Sequence, residues 1–323
     1  MLDRPKDESW ADSTRDSAAM IEGFPNLFSI GGMRCGSTML FENLNQHPQV
    51  FFPEIKEPDF LLKQYWLDQI ESGKLSKEKR SNAESITQKG KIRTIDQYLS
   101  MYENQKEPVR GDASHYLYHP VVIDLIKHNS VNPKVLVSFR DPIDRLFSEF
   151  MYLVRIDRFQ GTFAEFVERG LESRNEGKKS FGLDKGFYGR LLKPWIEAFG
   201  ESSLKIVIFE ELTAAPKSYL ADICNWLGID SEFEYSVSHP EKSGRPTKAG
   251  KTIGRALGSL RFAKRIIPKG FRQGIRRLLL SPFVVRDSRD AKVEESLKEF
   301  YKPEMETFCD LIGKELTSWK TLS

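Results

Sequence analysis

Short, nearly continuous apolar runs alternate along this chain with stretches whose apolar residues recur at helical spacing. Leu27-Phe28-Ser29-Ile30 reads as a buried strand, and the helical pattern after it runs from about Ser37 to Gln46, stopping before His47-Pro48 because the residue preceding a proline is pushed out of the helical region. An extended apolar segment follows at Val50-Phe51-Phe52, with Glu54, Lys56, Glu57 and Asp59 immediately behind it. The charged stretch from Ile70 to Arg93 reads as a surface insertion or short helices, and helical spacing returns from Ile95 to Tyr102. Val109 to Tyr116 reads as a short strand leaving a polar turn, and Pro120 opens a helix from Val121 to Lys127. Lys134 to Arg140 is a second clear buried strand, followed by Asp141-Pro142 and a helix from Ile143 to Ile156. Helical spacing recurs from Phe163 to Leu171 and from Phe187 to Phe199; a strand from Leu204 to Phe209 then precedes a helix from Pro216 to Leu227. Apolar strands that alternate with helices predict an α/β fold with a parallel sheet covered on both faces.

Composition sharpens this outline in three places. With 323 residues, 39% hydrophobic, the chain has enough apolar material for a full core. Residues 1–24 are polar and aperiodic and are expected to form a flexible tail ahead of a domain spanning 25–323. No run of about 18 apolar residues occurs and the first residues lack the apolar core of a signal peptide, so the expected location is cytoplasmic, with no transmembrane segment. Cys35, Cys224 and Cys309 are too few and too scattered for a disulfide framework or a structural metal site, and no metal is expected. The net charge of +3 hides an asymmetry: the segment 242–286 carries thirteen Lys or Arg and no Asp or Glu, which leaves the other residues at about −10. Within it, Ile253, Ala256, Leu257, Leu260, Ala263 and Ile267 recur at helical spacing among Arg255, Arg261, Lys264 and Arg265. That pattern suits a lid over an anionic acceptor, a peripheral contact of 253–285 with acidic lipid, or an ordinary solvated helix face. No nucleic-acid partner is expected.

The chemistry concentrates at Ile30-Gly31-Gly32-Met33-Arg34-Cys35-Gly36-Ser37-Thr38. Glycines between a strand and a helix let backbone amides approach a ligand, and the helix N-terminus favours an anion. The spacing Gly31-x4-Gly36 followed by Ser37-Thr38 nearly matches the nucleotide-triphosphatase loop, yet Ser37 stands where that loop has its lysine. Arg34 is the only cation within the loop, and its planar fork suits an anion held without a metal. The same spacing also suits a tight strand-to-helix turn with no ligand. A phosphotransferase using this cradle would want the missing lysine and a strand-end aspartate for magnesium. A non-catalytic anion-binding or membrane-surface module would need the basic residues alone.

Together with Arg140-Asp141-Pro142 and Ser148, eight positions beyond Arg140, this loop resembles that of the sulfotransferases, especially the heparan-sulfate type and its bacterial relatives. The resemblance extends through Gly186-Phe187-Tyr188, Phe209-Glu210-Glu211-Leu212, Trp226-Leu227-Gly228, Ser243-Gly244-Arg245-Pro246 and Leu311 to Trp319. It implies a sulfotransferase fold, with a P-loop-like parallel sheet, and transfer of a sulfuryl group from 3'-phosphoadenosine 5'-phosphosulfate (PAPS) to an acceptor hydroxyl on a glycan, lipid or small metabolite. It implies a 5'-phosphosulfate site at Arg34, Cys35, Gly36, Ser37 and Thr38, and a 3'-phosphate site at Arg140 and Ser148, with Tyr188, Ser243, Gly244 and Arg245 as further donor-binding residues. Two bases are implied. Lys56-Glu57-Pro58-Asp59-Phe60 resembles the Lys-Glu-Pro-His-Phe pattern of the heparan-sulfate type, with Asp59 in place of histidine, which points to Glu57 with Lys56 and Arg34 as helpers. His115, in Gly111-Asp112-Ala113-Ser114-His115, lies where cytosolic relatives carry a catalytic histidine.

Overall fold

The computed structural model describes residues 21–73, 75–88, 92–237, 245–246, 284–285 and 289–322. Five strands, β1 (Leu27–Ser29), β2 (Val50–Phe51), β3 (Val109–Asp112), β4 (Lys134–Phe139) and β5 (Leu204–Ile208), make one sheet in the order β2-β3-β1-β4-β5. All of its pairings are parallel, as the strand–helix alternation predicts. Helices connect the strands: α1 (Ser37–Leu44), α2 (Phe60–Glu71), α3 (Lys77–Thr87), α4 (Ile95–Ser100), α5 (Ile123–Asn129), α6 (Pro142–Arg155), α7 (Phe163–Asn175), α8 (Phe181–Asp184), α9 (Tyr188–Ser203), α10 (Phe209–Ala214), α11 (Pro216–Leu227) and α12 (Ala291–Ile312). The described residues fall into two compact units. One takes the chain up to Arg140, then Phe187–Pro240 and Thr307–Ser318; the other takes Asp141–Gly186, Glu241–Glu306 and the chain from Trp319 on.

The first unit holds the sheet. Leu27, Leu136 and Val207 on three adjacent strands are essentially inaccessible and pack with Leu40 and Leu44 of α1 and Leu220 and Ile223 of α11. Burial of a side chain this size stabilises by about 1.5–3 kcal/mol, so the flat apolar runs of β1, β4 and β5 and the apolar faces of the helices carry the fold together. Phe24, inside the expected tail, is 3% exposed, and its ring packs edge-on against Tyr98 and beside Phe28. The charged stretch after Ile70 folds into α3, started by the Ser76 side chain accepting from the Lys79 amide. β5 ends at Ile208, one residue short of the expected strand, because Phe209, Glu210 and Glu211 open α10 and acidic residues favour a helix's first turn. The same unit buries Phe308, whose ring stands edge-on to Phe139 and Tyr188.

In the second unit α6 is an amphipathic helix burying Ile143, Leu146, Phe150 and Val154. Its interior also holds charge: Arg145, fully buried, donates to Glu149 at 2.6 Å, and Lys185 reaches the other oxygen of that carboxylate at 2.7 Å. Paired in this way, the buried ions avoid the several kcal/mol that an isolated one would cost. α12 was not part of the sequence outline, although Leu297, Tyr301, Met305 and Phe308 recur at helical spacing and are buried. Arg245–Pro246 and Val284–Val285 form a two-stranded antiparallel ladder. Ser243 and Gly244, just before these strands, and the basic segment between them lie outside the described residues. Among the described residues no helix is long and apolar enough to cross a membrane.

Asp141 starts α6. One carboxylate oxygen accepts from the Ile143 and Asp144 amides at 3.0 Å each, and the other accepts from the amide and hydroxyl of Thr321 at 2.9 and 2.8 Å. Asp141→Ala removes the cap and leaves Thr321 without its acceptor in a buried place, and is expected to lower unfolding free energy by about 2–3 kcal/mol. Urea denaturation should show a midpoint shift at constant slope.

Candidate active site

Strand β1 empties into the loop at the point where the chain's crossovers change direction, since β3 and β4 flank β1 on its two sides. Ligands in open α/β sheets bind at such a point, beyond the carboxyl ends of the strands. The loop is tied to β4. Gly32 N donates to Ser138 O at 2.7 Å, Ser138 N donates to Gly31 O at 2.7 Å, and the Ser138 hydroxyl donates to the same oxygen at 3.2 Å. On its other side the Met33 amide donates to the Tyr118 hydroxyl at 2.9 Å. A polar residue inside an otherwise apolar strand was the sequence signal for Ser138; nothing local pointed to Tyr118.

Gly36 is the turn into α1. Its φ of +88° is one that side-chain-bearing residues rarely adopt, and a Cβ there would stand 2.5 Å from the Phe209 ring. No side chain caps α1 and no acidic residue lies in its first turn, so the amides at Ser37 and Thr38 face outward with the positive end of the helix dipole. Cys35 is different from its neighbours: its side chain is fully buried and its amide donates to Gly32 O, so it fills space under the loop. Arg34, in the left-handed conformation at φ 66°, is half-buried.

A second cation joins the loop from another strand. Lys56, beyond β2, places its ammonium 2.9 Å from the Thr38 hydroxyl and 3.3 Å from Glu57. The lysine absent from the loop's own sequence is thus supplied from a distance of 18 residues. Glu57 also meets His115, whose Nε2 lies 3.3 Å from the same carboxylate oxygen. Both base candidates therefore belong to one group. The hydrogen bond from His115 is the largest influence on the Glu57 carboxyl; burial opposes it, and the charges of His115 and Lys56 add to it, bringing the pKa down to about 2 from an ordinary 4.5. Asp59, two residues on, is pushed up by burial, partly offset by the nearby His115.

Arg140 leaves β4 with its guanidinium 4.8 Å from the Phe209 ring centre, so one aromatic side chain packs under both Gly36 and Arg140. Tyr188 is 1% exposed; its hydroxyl donates to the Arg140 carbonyl at 2.7 Å and its ring packs on Phe139, an arrangement that braces the strand end. Ser148 lies half-buried on α6, in the second unit. Ser243 and Gly244 lie outside the described residues, and of Arg245 only the backbone is described.

A parallel sheet flanked by helices, with a glycine-bearing, cation-lined loop at its switch point, makes this an α/β protein with a loop chemically suited to an anion. A sulfotransferase family model matches residues 25–234, and the chain belongs to that family. It is 23% identical to human carbohydrate sulfotransferase 15 over 92% of this chain and 55% of that protein, and 22% identical to mouse heparan sulfate glucosamine 3-O-sulfotransferase 3B1 over 93% of this chain and 66% of that protein. The chain thus spans little more than half the length of the human relative. Among solved structures, a sulfotransferase from Alicyclobacillus acidocaldarius superposes with a TM-score of 0.64 at 22% identity, over 92% of this chain and 99% of that one.

The depressed Glu57 carboxyl gives a direct test of the pair. Since its folded pKa lies below its ordinary value, the stability it contributes is present above about pH 4.5 and is lost as pH falls towards about 2. His115→Ala removes the largest cause, so the Glu57 carboxyl resonance should titrate closer to 4.5, followed by carbon-detected NMR.

Proposed function

We propose that this protein transfers a sulfuryl group from PAPS to an acceptor hydroxyl, with Glu57 and His115 as the pair that takes the acceptor's proton. The observation that carries this reading is the convergence of Lys56, Thr38, Glu57 and His115 at the mouth of the loop: cation, helix N-terminus and proton acceptor within hydrogen-bond reach of one another. The groups at the loop are hydrogen-bond donors and cations, Arg34, Lys56, Thr38 and the open amides of α1, which fits an anionic phosphosulfate. Arg140 would receive the 3'-phosphate. The donor supplies an activated sulfuryl group and leaves as 3',5'-diphosphoadenosine.

Each residue's task follows from charge. In an in-line displacement negative charge spreads towards the leaving oxygen, and Lys56 with Arg34 would balance it where it develops. Lys56 also holds Glu57, so the same ammonium orients the base and faces the anion. Because Glu57 and His115 share a short contact, the proton taken from the acceptor belongs to the pair. The acceptor we propose is a hydroxylated glycan, the class named by the relatives above, with a lipid or small metabolite as alternatives. The basic segment 242–286 is proposed to face that acceptor or an anionic membrane surface.

The donor is tested first by thermal shift without magnesium. The protein should be stabilised by 3',5'-diphosphoadenosine, and Arg140→Ala should weaken that ligand by about 2–3 kcal/mol while hardly changing the response to 5'-AMP. Stabilisation by ATP-magnesium alone would turn the assignment to a phosphotransferase. With a sulfated-glycan acceptor panel, Glu57→Gln should lower turnover by roughly 10²-fold or more and leave 3',5'-diphosphoadenosine binding near wild type. Unchanged turnover in that variant, with a large loss in His115→Ala, would make His115 the base alone.

A further inference from the structure

The turn that carries Glu57 is held from below by a buried acid that touches no part of the site. Glu57 and Asp59 both have positive φ, 58° and 50°, on either side of Pro58. Non-glycine residues keep such angles only where the surroundings fix them. Three amides of this turn are tied to the segment after β3: Glu57 N donates to Ala113 O at 3.0 Å, Asp59 N to the Ser114 hydroxyl at 3.2 Å, and Leu61 N to the Tyr116 hydroxyl at 3.3 Å.

Both of those hydroxyls donate in turn to Asp112. The Ser114 hydroxyl reaches Oδ1 at 2.6 Å, the Tyr116 hydroxyl reaches Oδ2 at 3.0 Å, and a third hydroxyl, from Tyr98, reaches Oδ2 at 2.6 Å. Asp112, Ser114 and Tyr116 are at most 1% exposed. Each hydroxyl has a single proton, and an ionised carboxylate only accepts. With Asp112 taking both protons, the lone pairs of Ser114 and Tyr116 must face the Asp59 and Leu61 amides. The orientation of both hydroxyls that hold the Asp59 and Leu61 amides is therefore set by one charge.

We infer that Asp112 is a positioning residue for the reaction, its carboxylate orienting Ser114 and Tyr116 so that they fix the Glu57 turn against His115. The inference rests on the proposed sulfuryl transfer for its kinetic consequence but not for its structural one. Burial pushes the Asp112 carboxyl up to about 6, against the pull of its three hydroxyl donors and with Asp59 adding to the rise. The arrangement is complete above that pH. The groups facing it are Tyr98 and Tyr102 from the α4 side, Ser114 and Tyr116 from its own segment, and Asp59 from the turn.

Asp112→Asn keeps the shape and reverses one bond: its amide donates to a hydroxyl, whose proton loses its acceptor and no longer fixes the lone pair that faces the backbone N–H. At pH 7.5, amide hydrogen exchange should show protection lost at Asp59, at Leu61 or at both, according to which hydroxyl faces the new amide, and turnover should fall by roughly 10- to 10²-fold with the affinity for 3',5'-diphosphoadenosine unchanged. Ser114→Ala cuts only the arm to Asp59 and should expose that amide alone, which keeps the test open should Asp112→Asn fail to fold. Tyr98→Phe removes a bond to Asp112 that leads to no amide of the turn, so it should cost stability and leave exchange at Asp59 and Leu61 at wild-type levels. Retained protection in Asp112→Asn and Ser114→Ala, or equal loss in Tyr98→Phe, would overturn the assignment and reduce the network to core packing. Exchange reads the positioning even if no acceptor is ever turned over, so loss of the functional reading and loss of this one are told apart.

Discussion

Parallel pairing of β1 with β3 on one side and β4 on the other is the constraint from which the site follows. In a parallel sheet every strand releases its chain at the same edge, so residues far apart in sequence meet beyond it. The loop after β1, the Lys56–Glu57 turn after β2, His115 after β3 and Arg140 after β4 are four such exits. Register does the fine adjustment: Ser29 opposite Leu136 puts Gly31 and Gly32 beside Ser138, where the reciprocal backbone bonds lock the loop to the central strand. A slip by one residue would turn each β1 side chain to the opposite face of the sheet and break its fit with the helix packed there.

Under the proposed reading, charge is arranged so that the loop would tolerate an anion while the Glu57 carboxyl stays ionised beside it. A carboxylate next to an anionic ligand would ordinarily be repelled. Lys56 stands between the two, bonded to Thr38 on the ligand side and to Glu57 on the other. His115 takes the remaining side of the carboxylate. This pairing explains why the group can be partly exposed, 40% of its side chain, and still be held well below its ordinary range.

The imidazole reaches Glu57 from an unexpected direction. The heparan-sulfate pattern carries histidine two positions after the glutamate, where this chain has Asp59. Here the ring comes from the next strand over, and Asp59, pushed up by burial, lies close to it. The imidazole beside Glu57 therefore belongs to the exit after β3 and not to the turn that carries the carboxylate. The buried hydroxyls and carboxylate behind them provide the rigidity that a turn with two left-handed residues requires.

The sequence by itself determined the sheet strands and most helices, because flat apolar runs and helical spacing are local properties, and it determined the loop, because Gly31, Gly36 and Arg34 act within a few residues of each other. Arg140 and the Lys56-Glu57-Pro58 turn were legible only through their resemblance to short sulfotransferase motifs. Local reading did not extend to α12, whose spacing was present but passed over, nor to the tail boundary at Phe24, whose burial depends on Tyr98 across many residues. Only the tertiary structure decided that Lys56 reaches Thr38, that Glu57 and His115 are one pair, that Cys35 points inward and Tyr188 braces Arg140. Each of these depends on which strand lies beside which, and a hydrogen bond across 18 or more residues leaves no periodicity behind. Asp112 shows the limit most clearly: a single acid at the end of a short strand looks ordinary in sequence, and its role arises from three hydroxyls that converge on it once the sheet has formed.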